Sequence, residues 1–198
     1  VIDDASVDGT AAIAQEASEK DPSIKIIRHR VPQGKGAAVA HGVLASAGEF
    51  VFFSDADLST PIETVAAFMR FLESGDDVVC ASRCLPSSAI VIPEPWFRGT
   101  LRCLFSFLQR FVCGVPIRDS QCGFKGFRQK AARQIFSRVR QQGYIFDVET
   151  LMIARILGMR VREVPVSWSN PQRRRGHLFS DGMCLLGGLL RIRWDAFR

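Results

Sequence analysis

Short apolar runs typical of strands alternate with helical stretches through the first half of the chain. The runs 24–28, 49–54 and 77–82 are rich in Ile, Val and Phe, and the stretches between them carry small and charged residues. Repeated β-α-β units with apolar strands form a parallel sheet, because helices then bury both of its faces. The sequence therefore predicts an α/β fold with a mostly parallel sheet and helices on both faces.

The element boundaries follow from the same pattern. Helices are predicted over 10–20, 34–47, 60–73, 95–113, 129–141 and 147–158, and strands over 24–28, 49–54, 77–82, 120–128 and 159–168. Thr60-Pro61-Ile62-Glu63 matches a capping box with Pro at the first helical position. Val1-Ile2 matches the end of a strand, so we expect a first βα unit to be missing before it.

Composition excludes several classes of protein. Apolar residues make up 47% and charged residues 23% of the 198 residues, as in globular domains. The six cysteines form no CxxC pair and show no ligand spacing with the three histidines. We therefore expect neither a zinc site nor a disulfide scaffold. This cysteine pattern fits a protein of a reducing compartment. No apolar run reaches the roughly 18 residues of a transmembrane helix.

Charge is unevenly distributed along the chain. Residues 1–92 carry 7 Lys and Arg against 13 Asp and Glu, a net charge of −6, whereas 93–151 and 152–198 each carry +6. Such asymmetry indicates two surfaces with different partners, and the basic half suits an anionic membrane or a phosphorylated substrate. We do not expect nucleic acid as a partner, because the basic residues alternate with Leu and Phe and match no nucleic-acid-binding motif.

The most informative polar turn is Ser54-Asp55-Ala56-Asp57, directly after an apolar strand. Ligands of open α/β sheets bind outside the carboxyl ends of the strands. The carboxylates of Asp55 and Asp57 could bind one Mg²⁺ or Mn²⁺ ion, which would bridge a nucleotide diphosphate. A motif this short is also common in ordinary turns, so the interpretation depends on the neighbouring turns.

Two further turns are predicted at the same edge of the sheet. Asp3, Asp4 and Asp8 follow the first strand, and their carboxylates can accept hydrogen bonds from a nucleobase or a ribose. Lys35 lies in Gly34-Lys35-Gly36, at a helix start where backbone N–H groups favour an anion. Three polar turns that converge on one edge predict a single nucleotide-binding site.

Two later stretches combine Leu and aromatic residues with Arg. They are residues 95–113 and 183–197, and both have the composition of a helix that lies at a membrane interface. A helix packed on the sheet is an equally good interpretation of the first stretch.

The motifs together resemble those of the inverting family-two glycosyltransferases with the GT-A fold, over essentially the whole chain. Residues 2–10 are similar to the family's nucleotide-recognition segment, which usually has Gly where Ala5 stands. Lys35-Gly36-Ala37-Ala38 is similar to its second motif, and Asp55-Ala56-Asp57 to its metal motif.

Two segments resemble the branch of polyprenyl-phosphate, or dolichyl-phosphate, β-glucosyltransferases. They are residues 118–125, Arg-Asp-Ser-Gln-Cys-Gly-Phe-Lys, and residues 146–149, Phe-Asp-Val-Glu. The resemblance implies a UDP-glucose donor, a polyprenyl phosphate acceptor and a membrane-associated protein on the cytoplasmic face. It also implies a catalytic domain over 1–170 and a basic loop with an amphipathic tail over 171–198.

Two alternatives remain open from the sequence. The first is a polyprenyl-phosphate mannosyltransferase that uses GDP-mannose, although the mannosyl branch tends to have Thr-Ser-Gly-Phe-Arg in the later motif. The second is a non-catalytic membrane-binding module on the same fold. The presence of Asp55, Asp57 and Asp119 together argues against that module.

The resemblance also implies roles for individual residues. Asp3 or Asp4 would contact the uracil, Asp55 the ribose or the metal, and Asp57 the metal, while Asp119 matches the family's catalytic aspartate. Basic residues would bind the diphosphate and the acceptor phosphate: Arg83, Arg98, Lys125, Arg173 and Arg174. The family's Gly-Ser-Lys is replaced by Gly176-His177-Leu178, so the arginines at 173–175 are expected to substitute for the missing lysine.

Overall fold

A computed structural model describes residues 1–92, 96–169 and 187–194, with the backbone alone for 96–98. The helices are α1 (Thr10–Lys20), α2 (Lys35–Ala45), α3 (Thr64–Glu73), α4 (Trp96–Cys113), α5 (Gln129–Phe136) and α6 (Phe146–Ile156), and residues 187–194 are also helical. The strands are β1 (Ile2–Asp3), β2 (Ile27–Arg28), β3 (Phe50–Ser54), β4 (Val78–Ser82), β5 (Ala89–Ile90), β6 (Phe124–Arg128), β7 (Val161–Pro165) and β8 (Ser167–Trp168).

The central sheet is mixed, not mostly parallel as predicted. Its order is β3-β6-β4-β7, and β6 runs antiparallel to both β3 and β4, whereas β4 and β7 are parallel. Ser54 at the end of β3 pairs with Phe124 at the start of β6. The segment that leads into β6, residues 119–123, therefore lies at the carboxyl ends of β3 and β4. Two small parallel pairs, β1-β2 and β5-β8, accompany this sheet.

Helices cover both faces of the sheet, as predicted. Val78 and Cys80 of β4 belong to one apolar core, which α5 and α6 complete. The intervening Val79 and Ala81 belong to a second core, with Phe68 and Leu72 of α3. This alternation follows from the strand geometry, which points successive side chains to opposite faces.

The start of α3 differs from the prediction. The helix begins at Thr64, and residues 61–63 form turns in which, for example, the Thr64 N–H donates to Pro61 O at 3.1 Å. Thr60 is buried, and its hydroxyl lies 3.9 Å from Cys122 Sγ. The capping box is wrong, because the Thr60 side chain contacts β6's leading segment and not the N-terminus of the helix.

Four other predicted elements are shorter or divided. The predicted strands 24–28 and 120–128 are reduced to β2 and β6. The predicted strand 159–168 is split into β7 and β8, which belong to different sheets. The predicted helix 129–141 ends at Phe136.

Helix α4 has an inward and an outward apolar face. Phe105, Leu108 and Val112 pack against the core, and Gln109 and Cys113 are fully buried. The outward side chains are exposed by 46% to 83%: Leu101, Leu104, Phe107 and Phe111. The inward face confirms a helix packed on the domain, whereas the contact of the outward face with a membrane stays a prediction. Among the described helices, none combines the length and the apolar character needed to cross a membrane.

The last helical residues pack on the core. Leu189 and Ile192 are each 1% exposed, and Cys113 Sγ donates to Leu189 O at 3.7 Å. Residues 187–194 therefore contact the core on one side, whereas Leu190 and Trp194 on their other side are exposed. The predicted division of the chain at residue 170 stays a prediction.

Candidate active site

The carboxylate of Asp4 braces the turn before α2. Its Oδ1 accepts from the Gln33 N–H at 2.8 Å and lies 2.6 Å from His29 Nδ1, and its Oδ2 accepts from the Gly34 N–H at 2.8 Å. Burial opposes the ionisation of Asp4, but these hydrogen bonds outweigh it and lower its pKa. Because both oxygens accept hydrogen bonds from it, Asp4 positions the turn that precedes Lys35.

Asp3 retains an acceptor atom. Its buried Oδ1 accepts from the Ser6 N–H at 3.1 Å, and its Oδ2 lies 3.1 Å from Arg28 Nε without a hydrogen bond to any described residue. Hydrogen bonding from Ser6 lowers the pKa of Asp3. A cavity of about 670 Å³ adjoins this turn, lined by residues 5–8 and 28–30. Because the Asp3 side chain is buried, its contact with uracil stays a prediction, as does that of Asp4.

Asp8 and Ala5 shape the same turn. Asp8 is exposed, and its Oδ1 accepts from the Thr10 N–H at 3.0 Å, which forms a side-chain turn directly before α1. Ala5 has a φ of 59°, in the left-handed region that favours glycine. This conformation gives a physical reason for the glycine that the resembling family usually has at this position.

Lys35 forms an ion pair with Asp55 at the end of β3. Lys35 Nζ lies 2.7 Å from Asp55 Oδ1, and the two side chains are 23% and 24% exposed. The ammonium also lies 5.8 Å from the ring centre of Tyr144 and 5.9 Å from that of Phe146. The residues predicted at two separate turns are therefore in direct contact.

Asp55 and Asp57 are the residues that could hold a divalent cation. Asp57 is partly exposed, and its Oδ1 accepts from the Ser59 N–H at 3.0 Å. In residues 1–92, 99–169 and 187–194, no group of three or more His, Cys, Asp and Glu side chains could hold a metal. Magnesium is commonly bound through one or two carboxylates, phosphate oxygens and water, and manganese prefers the same oxygen ligands. The donor set thus fits a cation that binds together with a diphosphate.

Gly123 allows Asp55 to lie against β6. The Asp55 N–H donates to Gly123 O at 3.0 Å, and a Cβ atom at Gly123 would overlap the Asp55 carboxylate. The glycine of the later motif therefore has a steric role in placing the carboxylate of the earlier one.

Lys125 is fully buried beneath the same segment. Its ammonium donates to Ser120 O and Cys122 O, both at 2.8 Å, and to the Asp147 carboxylate. Burial disfavours the charge, but the Asp147 carboxylate outweighs this effect and raises the pKa of Lys125. All three ammonium protons are used inside the protein. This placement does not support the predicted contact of Lys125 with the acceptor phosphate, and indicates that it positions residues 120–122.

Asp119 holds Arg83 in place. Its Oδ2 accepts from Arg83 N at 2.9 Å and Nε at 2.7 Å, and its Oδ1 accepts from Arg83 Nη2 at 2.8 Å. The guanidinium lies 5.1 Å from the ring centre of Trp168. The Asp119 side chain is 1% exposed. Its placement therefore does not support the predicted catalytic contact with substrate, and makes it a positioning residue for Arg83.

The ionisation of Asp119 agrees with this role. Burial raises its pKa, but the hydrogen bonds from Arg83 outweigh burial and lower the pKa below the ordinary 3.8. A carboxylate with a lowered pKa is a weak base. The stability that this contact contributes is present above pH 3.8 and is lost as the pH falls through the lowered value of the folded state.

Two residues that the sequence did not single out, one of them the fully buried Gln109, support the same segment. Glu163 of β7 accepts from the backbone N–H groups of Arg118 at 3.1 Å and Asp119 at 2.9 Å. Gln109 of α4 donates to Ile117 O at 2.7 Å and accepts from the Ser120 hydroxyl. In the sequence, a glutamine at an inward position of an apolar helix could have identified Gln109 as a buried hydrogen-bonding residue. No sequence pattern identifies Glu163.

Three predicted phosphate-binding residues lie outside the described side chains. They are Arg98, Arg173 and Arg174. Their contacts with the acceptor remain predictions, as does the substitution of the arginines at 173–175 for the missing lysine.

Sequence comparisons match the chain to one family. The profile of glycosyl transferase family 2 matches residues 1–136. A dolichyl-phosphate beta-glucosyltransferase of Dictyostelium discoideum is 34% identical over 98% of this chain and 62% of the relative. The Mus musculus protein of the same name is 35% identical over 85% of this chain and 55% of the relative. The chain thus spans little more than half of the length of these relatives.

Solved structures share the fold. The glucosyl-3-phosphoglycerate synthase of Mycobacterium tuberculosis, in complex with Mn²⁺ and uridine-diphosphate-glucose, superimposes with a TM-score of 0.67 at 19% identity. The match covers 97% of this chain and 66% of that protein. The predicted GT-A fold is confirmed.

We predict that Gly123→Ala displaces the Asp55 carboxylate and weakens UDP binding in the presence of Mn²⁺ by about tenfold or more, because a methyl group would occupy the space of that carboxylate. Calorimetric titration with UDP measures the loss. Gly143→Ala is the matched control, since no atom lies within 4 Å of its added Cβ. Equal UDP affinity in the two variants would contradict the steric role of Gly123.

Proposed function

The chain belongs to glycosyl transferase family 2, and we propose that it transfers glucose from UDP-glucose to a polyprenyl phosphate of the dolichyl type. Relatives with the name dolichyl-phosphate beta-glucosyltransferase match between 85% and 98% of the chain. The resemblance of residues 118–125 and 146–149 to the glucosyl branch supports the same acceptor and donor.

The observation that carries the proposal is that one segment, residues 119–123, connects the ion pair of Arg83 with the ion pair of Lys35 and Asp55. Lys35 contacts Asp55, and Arg83 is held by Asp119. Residues 119–123 contact both pairs, since they supply Asp119 itself and the Gly123 carbonyl that binds the Asp55 N–H. A reaction between two phosphate-bearing substrates needs such cations to offset their mutual repulsion.

In the proposed donor complex, Asp3 accepts from the uracil and Lys35 offsets the charge of the diphosphate. Asp55 and Asp57 hold Mg²⁺ or Mn²⁺, which when bound stabilises the negative charge of the leaving UDP. The hydrogen bonds that the Asp4 carboxylate accepts from the Gln33 and Gly34 N–H groups keep Lys35 at this position.

The proposed reaction is a single displacement. An acceptor phosphate oxygen attacks the anomeric carbon from the side opposite UDP, so that the new C–O bond forms while the C–O bond to UDP breaks. UDP leaves with the bonding electrons, and the configuration changes from α to β. The acceptor phosphate is an anion at neutral pH. A protein base is therefore unnecessary, and Asp119 can serve to aim Arg83 at the acceptor phosphate.

We also propose that α4 places the site at a membrane surface. Its outward face carries Leu101, Leu104, Phe107 and Phe111, and its inward Gln109 holds the segment that contains Asp119. A lipid acceptor keeps its tail in the bilayer, so its phosphate reaches only a site close to the bilayer surface. The predicted location on the cytoplasmic face is part of this proposal.

The donor and the acceptor are tested together by a transfer assay of the full-length protein. With Mn²⁺ or Mg²⁺ and a short polyprenyl phosphate, we expect glucose transfer from radiolabelled UDP-glucose and little transfer from GDP-mannose. Asp57→Asn should remove most of this activity, because an amide is a poorer ligand for a hard cation. A preference for GDP-mannose would move the protein to the mannosyl branch, and no transfer to any polyprenyl phosphate would refute the proposal.

For Asp119 we predict a loss of rate without a loss of donor binding. Asp119→Asn should lower kcat roughly 100-fold, since the Arg83 guanidinium loses its charged partner and its orientation. The Kd for UDP should change less than about threefold. Arg83→Ala should have a similar effect, and the double variant should be little worse than either single one. Weaker UDP binding with kcat intact would make Asp119 a donor-site residue.

The membrane proposal predicts that α4 binds anionic vesicles. A Phe107→Glu/Phe111→Glu variant should sediment with phosphatidylserine vesicles at least about tenfold less than the wild type, because each phenyl ring contributes about 1 kcal/mol or more of transfer free energy. Ile13→Glu/Ile156→Glu is the control, since these side chains are 70% and 60% exposed on other helices. An equal loss in both variants would indicate a general charge effect and exclude α4 as the contact surface.

A further inference from the structure

We infer that Lys35 occupies the cation position beside Asp55 until the donor arrives, so that a divalent metal binds well only together with a diphosphate. The inference deepens the proposed function and depends on it. It assigns Lys35 a second role beyond contact with the nucleotide: the ammonium makes metal binding and donor binding depend on each other.

The geometry places Lys35 where a metal would compete with it. Its Nζ lies 2.7 Å from Asp55 Oδ1, on one of the two carboxylates that are proposed to hold the cation. The whole Asp55 carboxylate lies against Gly123, where it occupies the space that a Cβ atom would fill. A divalent ion that uses Asp55 must therefore approach an ammonium group within a few ångströms, and two positive charges at that distance repel each other strongly in a partly buried site.

Charge balance explains why the diphosphate removes this conflict. Lys35 and Asp55 interact electrostatically with the buried Asp147, which is itself paired with Lys125. With Asp57 included, the formal charges of these five groups leave one net negative charge. A divalent cation alone would make the cluster positive. A cation together with the doubly negative diphosphate of a nucleotide sugar leaves the net charge unchanged, so the two ligands are favoured as a pair.

The surroundings of Lys35 allow its ammonium to leave Asp55. The side chain is 23% exposed, and the rings of Tyr144 and Phe146 lie 5.8 Å and 5.9 Å from Nζ. Aromatic faces stabilise an ammonium at such distances. The ammonium can therefore move from the carboxylate toward the diphosphate without losing all of its favourable contacts. Lys125, with every proton bound to buried acceptors, has no such freedom.

The test is the binding of Mn²⁺ itself, measured from the electron paramagnetic resonance signal of the free ion with and without UDP. Wild type should bind Mn²⁺ weakly alone and much more tightly with UDP. Lys35→Met, which keeps the aliphatic stem, should bind Mn²⁺ alone about tenfold more tightly. It should also lose most of the enhancement by UDP. Lys35→Arg should retain the wild-type dependence, because it keeps the positive charge.

Lys130→Met is the matched control for net charge. Lys130 is exposed on α5, which follows the end of β6 and so lies at the opposite edge of the sheet. The Lys130→Met variant should keep the Mn²⁺ affinity without UDP and the Mn²⁺ affinity with UDP within about twofold of the wild-type values. An increase equal to that of Lys35→Met would reduce the effect to overall charge and overturn the inference.

The remaining outcomes separate the inference from the proposed function. If Asp57→Asn abolishes Mn²⁺ binding with UDP, but Lys35→Met binds Mn²⁺ alone no better than the wild type, the inference is wrong and the metal site stands. If Asp57→Asn leaves Mn²⁺ binding with UDP unchanged, the metal assignment of the proposed function fails, and the inference fails with it. Circular dichroism of each variant verifies that the fold is intact.

Discussion

The buried ammonium of Lys125 is the interaction on which the candidate site depends. A charge without access to water is tolerated only when it is paired and hydrogen-bonded, and Lys125 meets this condition through the Ser120 and Cys122 carbonyls and the Asp147 carboxylate. These bonds define the path of the segment before β6. The same segment presents Asp119 to Arg83 and the Gly123 carbonyl to Asp55. Loss of the ammonium would therefore disturb both ion pairs of the site at once.

The antiparallel direction of β6 explains why residues distant in sequence meet at one edge. In a wholly parallel sheet, the segment before a strand lies at the edge opposite to the carboxyl ends of its neighbours. Because β6 is inserted antiparallel between β3 and β4, its leading segment lies beside the turn after β3 and beside Arg83 after β4. The topology thus brings the motif of residues 118–125 to the turn that carries Asp55 and Asp57.

The sequence predicted much of this arrangement, and the limits of that prediction have physical causes. Apolar periodicity located β3, β4, α2 and α4 to within a few residues, and turn chemistry located Asp55 and Lys35. Strand direction cannot be read from the apolar pattern here, since the antiparallel β6 is buried on both faces in the same way as β4. Long-range polar contacts are equally invisible. The family resemblance implies a phosphate contact for Lys125, and only the structure shows Asp147 beside it.

The two ion pairs of the site differ in burial, and this difference suits different tasks. Arg83 and Asp119 are 11% and 1% exposed, and three hydrogen bonds join them. Separating them would leave a buried carboxylate unpaired, at a large free-energy cost, so Arg83 is a fixed charge. Lys35 and Asp55 are about a quarter exposed, and water can solvate each of them when they separate. A fixed cation suits an acceptor phosphate that must be held in line for attack. An exchangeable cation suits a donor that arrives charged, with a metal, and leaves as UDP.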